Sequence, residues 1–438
     1  MLNSSSALAV KYFLTVLSEV TVSRQRSLIG WIDFSSTERE RVSQVLSMLQ
    51  EKGTLDELGI GQIRDAFADQ LFPGFSTIQT RAKYFVTIPY IFHDYRKLEP
   101  NERPLLAEYI SQQEDKLARC LVENHRHDMP DGIIGKESLE KGVARKPSSV
   151  YWNGLRQLSI AKTELSLREF VNQYQELANN KNETHIDDDG QHSDIAHLMT
   201  KPDGYSESWL NQVSIKLTRK EADYLKNKLQ LSSKIEHSVP AQLFKHNLVG
   251  EALQVVDMAV HNGWQAEALY EKLKDSPISD QTKACFENAL EFSFVLEGAH
   301  IRYNILIAQR AKNIEQIEQL NEEFDVWLNQ AHKQPTSFEQ QRIDNWYEFA
   351  FGAHKSSNNR TRQFIENWCS LIRENAPVDK LDACVKQQAI ANKGARCLLK
   401  KALSENQKWV GMRKLEFRWP SARVILQDIQ EGLDVSAG

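Results

Sequence analysis

Helix-start chemistry recurs through the first part of this chain. Thr37-x-x-Glu40, Thr54-x-x-Glu57, Ser76-x-x-Gln79 and Ser166-x-x-Glu169 each place a hydroxyl three residues ahead of a long acceptor side chain. That reciprocal pattern satisfies the orphan amides of a first helical turn. Apolar residues then follow at helical spacing. Val42, Val45, Leu46 and Leu49 follow the first box and are closed by Gly53. Ile60, Ile63, Phe67 and Leu71 follow the second and stop at Pro73-Gly74. The third box predicts a helix through Arg81 and Phe85 that Pro89 kinks or ends. Only 19 Gly and 12 Pro punctuate 438 residues, which favours long helices over many turns.

The same periodicity predicts a helix over 102–123. "MPDGIIGKES" then breaks the pattern with a turn and a short extended piece, and "KPSSVYWNGLRQLSI" restarts a helix with Ser148 or Ser149 as its cap. Helices followed by a hairpin-like element suit a helix-turn-helix or winged-helix arrangement, although helix spacing alone does not separate that from a generic bundle. From Ala178 to Gly204 the chain turns polar, acidic and aperiodic, the composition of a linker or long exposed loop. Beyond it the spacing predicts helices over about 218–231, 250–274, 279–312, 314–332, 337–353, 360–374, 378–404 and 420–431. No repeat of fixed period is present. The expected organisation is mainly α: an N-terminal extension (1–29), a helical N-terminal domain (30–177), an acidic linker (178–204) and a larger helical domain (205–438).

Location follows from composition. "SALAVKYFLTVLSEV" is apolar but interrupted by Lys11 and Glu19 and lacks an A-x-A cleavage site, so it reads as an amphipathic or dispensable extension rather than a signal peptide. No other run approaches the roughly 20 apolar residues of a membrane span. Five scattered cysteines form no CxxC pair, which fits reduced thiols in a cytoplasmic protein.

Motifs for catalysis are weak. "DGIIGKES" lacks a phosphate loop's first glycine, where Pro130 stands, and has Glu137 where magnesium binding needs Ser or Thr. His125, His127 and Asp128, and the cluster His185, Asp187, Asp188, Asp189, His192, Asp194 and His197, are metal-capable. The second cluster falls in the linker, whereas metal ligands need rigid support. Asp65 and Asp69, one turn apart, pair more naturally with Arg64 than with a substrate. No hydrolase elbow, zinc-protease helix or Rossmann fingerprint appears. The reading is non-catalytic and without a cofactor.

Charge is more informative. The chain carries −5 overall, so any polyanion site is a local patch. Between Lys393 and Arg423 nine basic residues meet two acidic ones, Glu405 and Glu416, giving +7 and leaving −12 for the remainder. Lys and Arg neutralise phosphates, and aromatic faces stack on bases. Three segments combine them: Arg81 and Lys83 in "TRAKYF"; Arg145, Lys146 and Arg156 in "ARKPSSVYWNGLR"; and Lys400, Lys401, Lys408, Trp409, Arg413, Lys414 and Arg418 near the C-terminus. The alternative is a solvated cationic face with its aromatics in the core.

"GWIDFSSTERERV", "DELGIGQIRDAFADQLFPGFSTIQTRAKYF" and "KPSSVYWNGL" resemble an uncharacterised family of bacterial proteins that open with a Gly-Trp-Ile-Asp-Phe-Ser sequence. The resemblance runs from Gly30 to the "GMRKLEFRWPSARVILQDIQEGL" end. It implies an association by genomic context with helicases and nucleases in defence loci against phage. On this reading 56–74 is a packed corner in which Gly59 and Gly61 allow close backbone approach. Arg64 with Asp65 or Asp69 forms a polar clasp there, and "TIQTRAKYF" is presented outward. The expected function is a non-catalytic nucleic-acid-binding or scaffolding subunit beside a helicase or nuclease, with no membrane partner. The alternatives are a nuclease whose site assembles from distant segments and a protein-interaction module with a cationic docking face.

Overall fold

The computed structural model describes residues 56–435, except 141, 144, 180–194, 260–264, 353–358, 404–406 and 412–413. The Thr37 box and its apolar stripe, Thr54 and the Gly-Trp-Ile-Asp-Phe-Ser motif lie outside the described residues. So do the extension, most of the acidic linker and Arg413. The described chain is mainly α: α1 Gly61–Leu71, α2 Tyr84–Lys97, α3 Leu106–Asn124, α4 Pro147–Gln157 and α5 Leu167–Asn179 come first. They are followed by α6 Arg219–Leu231, α7 Val239–Lys245, α8 Val249–Ala259, α9 Gln265–Leu273 and α10 Asp280–Ala311. The last are α11 Ile314–Lys333, α12 Gln340–Phe351, α13 Asn359–Arg373, α14 Val378–Lys393 and α15 Trp419–Asp434. No strand occurs among the described residues; one isolated antiparallel bridge joins Ala161 to Met199. No described helix is long and apolar enough to cross a membrane.

The architecture is organised around α10. At about 1.5 Å per residue its 32 residues reach roughly 48 Å. Ser279 Oγ accepts the Thr282 amide at its start, and Lys312 ends it in the left-handed conformation. Gly298 through Ile305 are buried without interruption, the mark of a helix enclosed on every side rather than amphipathic on one. α1, α9, α11, α12, α13 and α14 all pack against it.

The expected division at 178–204 does not separate two cores. One hydrophobic cluster runs from Leu58 to Ile429. α1, on one side of that boundary, packs on α10 and α12 from the other, and Arg81 from the first side pairs with Asp428 on α15. Part of the supposed linker is also internal: Met199 is buried, Lys162 N–H donates to Leu198 O at 2.8 Å and Thr200 N–H to Ile160 O at 2.9 Å. The anchor at Met199 lies inside a stretch whose composition alone reads as linker.

Local expectations differ in four further places. The Ser76 box closes a turn, with Ser76 N–H donating to Gln79 Oε1 at 3.2 Å, and the helix begins only at Tyr84. Pro89 lies inside α2, which continues to Lys97. The hairpin-like element after Met129 is a run of turns with a 3-10 turn at Lys136–Ser138, and no strand of a wing occurs among the described residues there. The helix expected over 378–404 stops at Lys393, where Gly394 takes a φ of 59°, and gives way to 3-10 turns at Gly394–Arg396 and Leu398–Lys400. Ser166 and Glu169 do form their box, with the Ser166 amide donating to Glu169 Oε2 at 3.0 Å.

Candidate functional site

The glycine-rich corner is an attachment point. Asp56 accepts the amides of Gly59, Ile60 and Gly61 at 2.8, 3.0 and 2.9 Å, satisfying the start of α1. Gly59, at φ 75°, lies against Asn392, whose Nδ2 donates to the carbonyls of Asp56 and Glu57. Gln388 Nε2 donates to Leu58 O at 2.6 Å and Thr361 Oγ1 to Gly59 O at 3.0 Å. Tyr303 on α10 donates its hydroxyl to the buried Glu57 at 2.8 Å. Arg64 Nε donates to Asp65 at 2.7 Å, whereas Asp69 receives Arg418 from the far end of the chain at 2.5 Å.

"TRAKYF" turns inward. Arg81 grips Asp428 on α15 through Nε and Nη2 at 2.7–3.0 Å, and the Ala82 amide donates to the same carboxylate at 2.8 Å. Lys83 donates to both oxygens of Glu221 at 2.8 and 2.7 Å, with side chains only 6% and 4% exposed. Glu221 simultaneously completes the Thr218 capping box of α6. A buried ammonium needs such a counterion, because desolvating it alone costs several kcal/mol. The expected outward face is therefore an internal clamp between α2, α6 and α15, and these two cations are not presented to solvent phosphate.

The second segment is mixed. Lys146 pairs with Asp115 at 2.6 Å, Arg156 Nη1 donates to the carbonyls of Glu164 and Leu165, and Arg145 is exposed. Beside them Glu114, 1% exposed, accepts the Ser148 amide at 2.5 Å and so caps α4 from α3. Burial pushes its carboxyl up to about 7, against the pull of Ser148 and Lys146.

In the C-terminal segment the charges divide. Lys414 meets Glu267 at 2.7 Å, Arg418 meets Asp69, and Glu416 accepts the first amides of α9 from Gln265 and Ala266. Trp409 is half-buried against the core. Arg396, Lys400, Lys401 and Lys408 are exposed, and none enters an ion pair among the described residues. Two anchors hold this stretch to α10. Arg310 Nε donates to Lys401 O at 2.8 Å, and Asn304 exchanges hydrogen bonds with the Val410 backbone, 2.8 Å each way. Six residues separate the anchors, about 9 Å of helix axis. Lys401 and Lys408 are thus gathered along the C-terminal part of α10, where the exposed Arg310 and Lys312 join them. Sequence reading missed these two, since they stand some 90 residues before their neighbours; the basic end of the 279–312 helix was the available signal.

Other candidates have structural roles. His125 Nε2 accepts the Ile215 amide at 3.1 Å while Nδ1 faces Asp128 at 2.9 Å, fastening the 211–217 loop to α3. Burial pushes Cys285 up to about 12 and Cys384 to about 11, which leaves little thiolate for nucleophilic attack at neutral pH. Among the described residues no three His, Cys, Asp or Glu side chains converge to hold a metal.

The profile of a family of unknown function, DUF6361, matches residues 26–432. The chain belongs to that family. No curated protein and no solved structure matches it.

Proposed function

We propose that this member of the DUF6361 family is a nucleic-acid-binding or scaffolding subunit without catalysis of its own, working beside a helicase or nuclease in defence against phage. One observation carries the binding part. Arg396, Lys400, Lys401 and Lys408 stay exposed and without an ion pair among the described residues, whereas Lys414 and Arg418 beside them are engaged by Glu267 and Asp69, and α10 brings Arg310 and Lys312 to them. A face that concentrates cations on a chain of net −5 offers phosphates a local site that bulk charge would not. The partnership with a helicase or nuclease rests on the family resemblance alone.

The experiment is a salt titration of duplex and single-stranded binding. Affinity should fall with a log–log slope of about −0.9 per phosphate contact on duplex. Reversing Lys400, Lys401 and Lys408 to Glu should weaken binding across sequences alike and flatten that slope, because phosphate contacts carry no base information. Unchanged binding, with release of a co-purifying protein, would instead identify a docking face for an acidic partner.

A further inference from the structure

A cleft of about 440 Å³ opens between the last turn of α2, α3 and the turn at 205–211. Its walls are fixed from within. Asp94 accepts Tyr205 Oη on one oxygen and Trp209 Nε1, at 2.7 Å, on the other. Asn124 Nδ2 holds the carbonyls of Asn211 and Val213. The opposite wall is Tyr109, Gln113 and Lys116, spaced four and three residues apart and so on one face of α3.

The chemistry of this lining is specific. Tyr109 is partly exposed, with its other side packed on Tyr95 at 5.3 Å. Lys116 is exposed and makes no ion pair, and the half-buried Gln113 amide has no protein partner among the described residues. Lys97 contacts Glu207 at 2.8 Å, but that carboxylate is 87% exposed. Such a surface pair is weak and exchanges readily for another anion. His93, behind Tyr205, titrates below its ordinary range through burial and then through Lys201, Arg96 and Lys97, with Asp94 opposing them.

We propose that this cleft binds a nucleoside phosphate, its base against Tyr109 and its phosphate between Lys116 and Lys97. An aromatic face beside an amide and two ammonium groups is the combination that stacks, reads a polar base edge and neutralises a phosphate. The nucleotide comes either free or as one unit of a single strand. The site uses none of the cations along α10, so it stands or falls apart from that face.

The test follows a fluorescein-labelled ten-nucleotide oligothymidylate by anisotropy and ATP by calorimetry, on the full chain. Lys116→Glu and Tyr109→Leu should each weaken one probe by about tenfold or more, and Tyr109→Phe should restore it because the stacking face returns. Loss on the oligonucleotide alone assigns a strand; loss on ATP assigns a free nucleotide. Lys116 is exposed, so its reversal reports binding even if Tyr109→Leu fails to fold. The proposal is overturned if neither probe binds the parent, or if both variants bind both probes as the parent does. It is equally overturned if only reversal of Lys400 and Lys401 lowers affinity, an outcome that leaves the α10 face intact.

Discussion

Lys83 and Glu221, 138 residues apart, form a two-point ion pair that is almost wholly excluded from solvent. Breaking such a pair from one side strands the other charge, at a cost of roughly 3–5 kcal/mol. Lys83→Met should therefore lower Tm strongly. Adding Glu221→Gln, which keeps an acceptor for the Thr218 amide, should recover part of the loss. Calorimetric melts of the parent, single and double variants check this; a Tm unmoved in Lys83→Met would contradict the buried pair.

Glu114 links stability to pH. Its carboxyl titrates near 7 in the folded protein, above its ordinary 4.5, because burial disfavours the charged form. The folded state therefore holds a proton there that the unfolded chain releases. The stability this gives is full below about pH 4.5 and declines as pH rises through 7. Glu114→Gln keeps an acceptor for the Ser148 amide and removes the ionisation. Its stability relative to the parent should improve from pH 5 to pH 8 by up to about 3 kcal/mol. Urea denaturation at the two pH values measures the change, and a constant difference would place the carboxyl's titration elsewhere.

Gly154 makes α4 approach the Pro73-Gly74 turn. A Cβ there would sit 2.5 Å from Phe85 Cε1 and 2.7 Å from Gly74 O. Gly154→Ala should cost about 1–3 kcal/mol by overpacking. Gly250→Ala, with nothing within 4 Å of the new methyl, should instead stabilise α8 by about 0.5–1 kcal/mol. Opposite shifts in denaturation midpoint are expected; two losses of equal size would argue against close packing at Gly154.

The basic C-terminal segment should separate into two classes. Arg418→Ala removes the partner of Asp69 and should leave the salt dependence of nucleic-acid binding unchanged. Lys400→Ala with Lys401→Ala should reduce the salt slope by up to about 1.8 on duplex with little effect on Tm. Equal slopes for both variants would mean that the exposed lysines make no phosphate contact.

Local chemistry carried a good share of the architecture. The long α10, the stripe of α1 and the Ser166–Glu169 box follow from hydroxyl caps and apolar spacing read within one or two turns, whereas the Ser279 cap of α10 is seen only in the fold. The Ser76 box shows the limit: the same residues close a turn when Gln79 is drawn back to Gly74 O at 2.9 Å. Lys408 and Arg145 look the same in sequence as Lys83 and Arg81, yet the first two face solvent and the second two are clamped.

The sequence by itself determined that this chain is helical, where most of its long helices begin and end, and that its positive charge is concentrated near the C-terminus. Those properties depend on residues three to seven apart. Only the tertiary structure decided which charges are available, because Asp428, Glu221, Asp69 and Glu267 reach their partners across 138 to 349 residues. The same long-range packing joined the two expected domains through α1, α10 and α15 and set Tyr109, Lys116 and Lys97 around one cleft. A cation's partner is fixed by burial and distance in the folded chain, and neither is written in its neighbours.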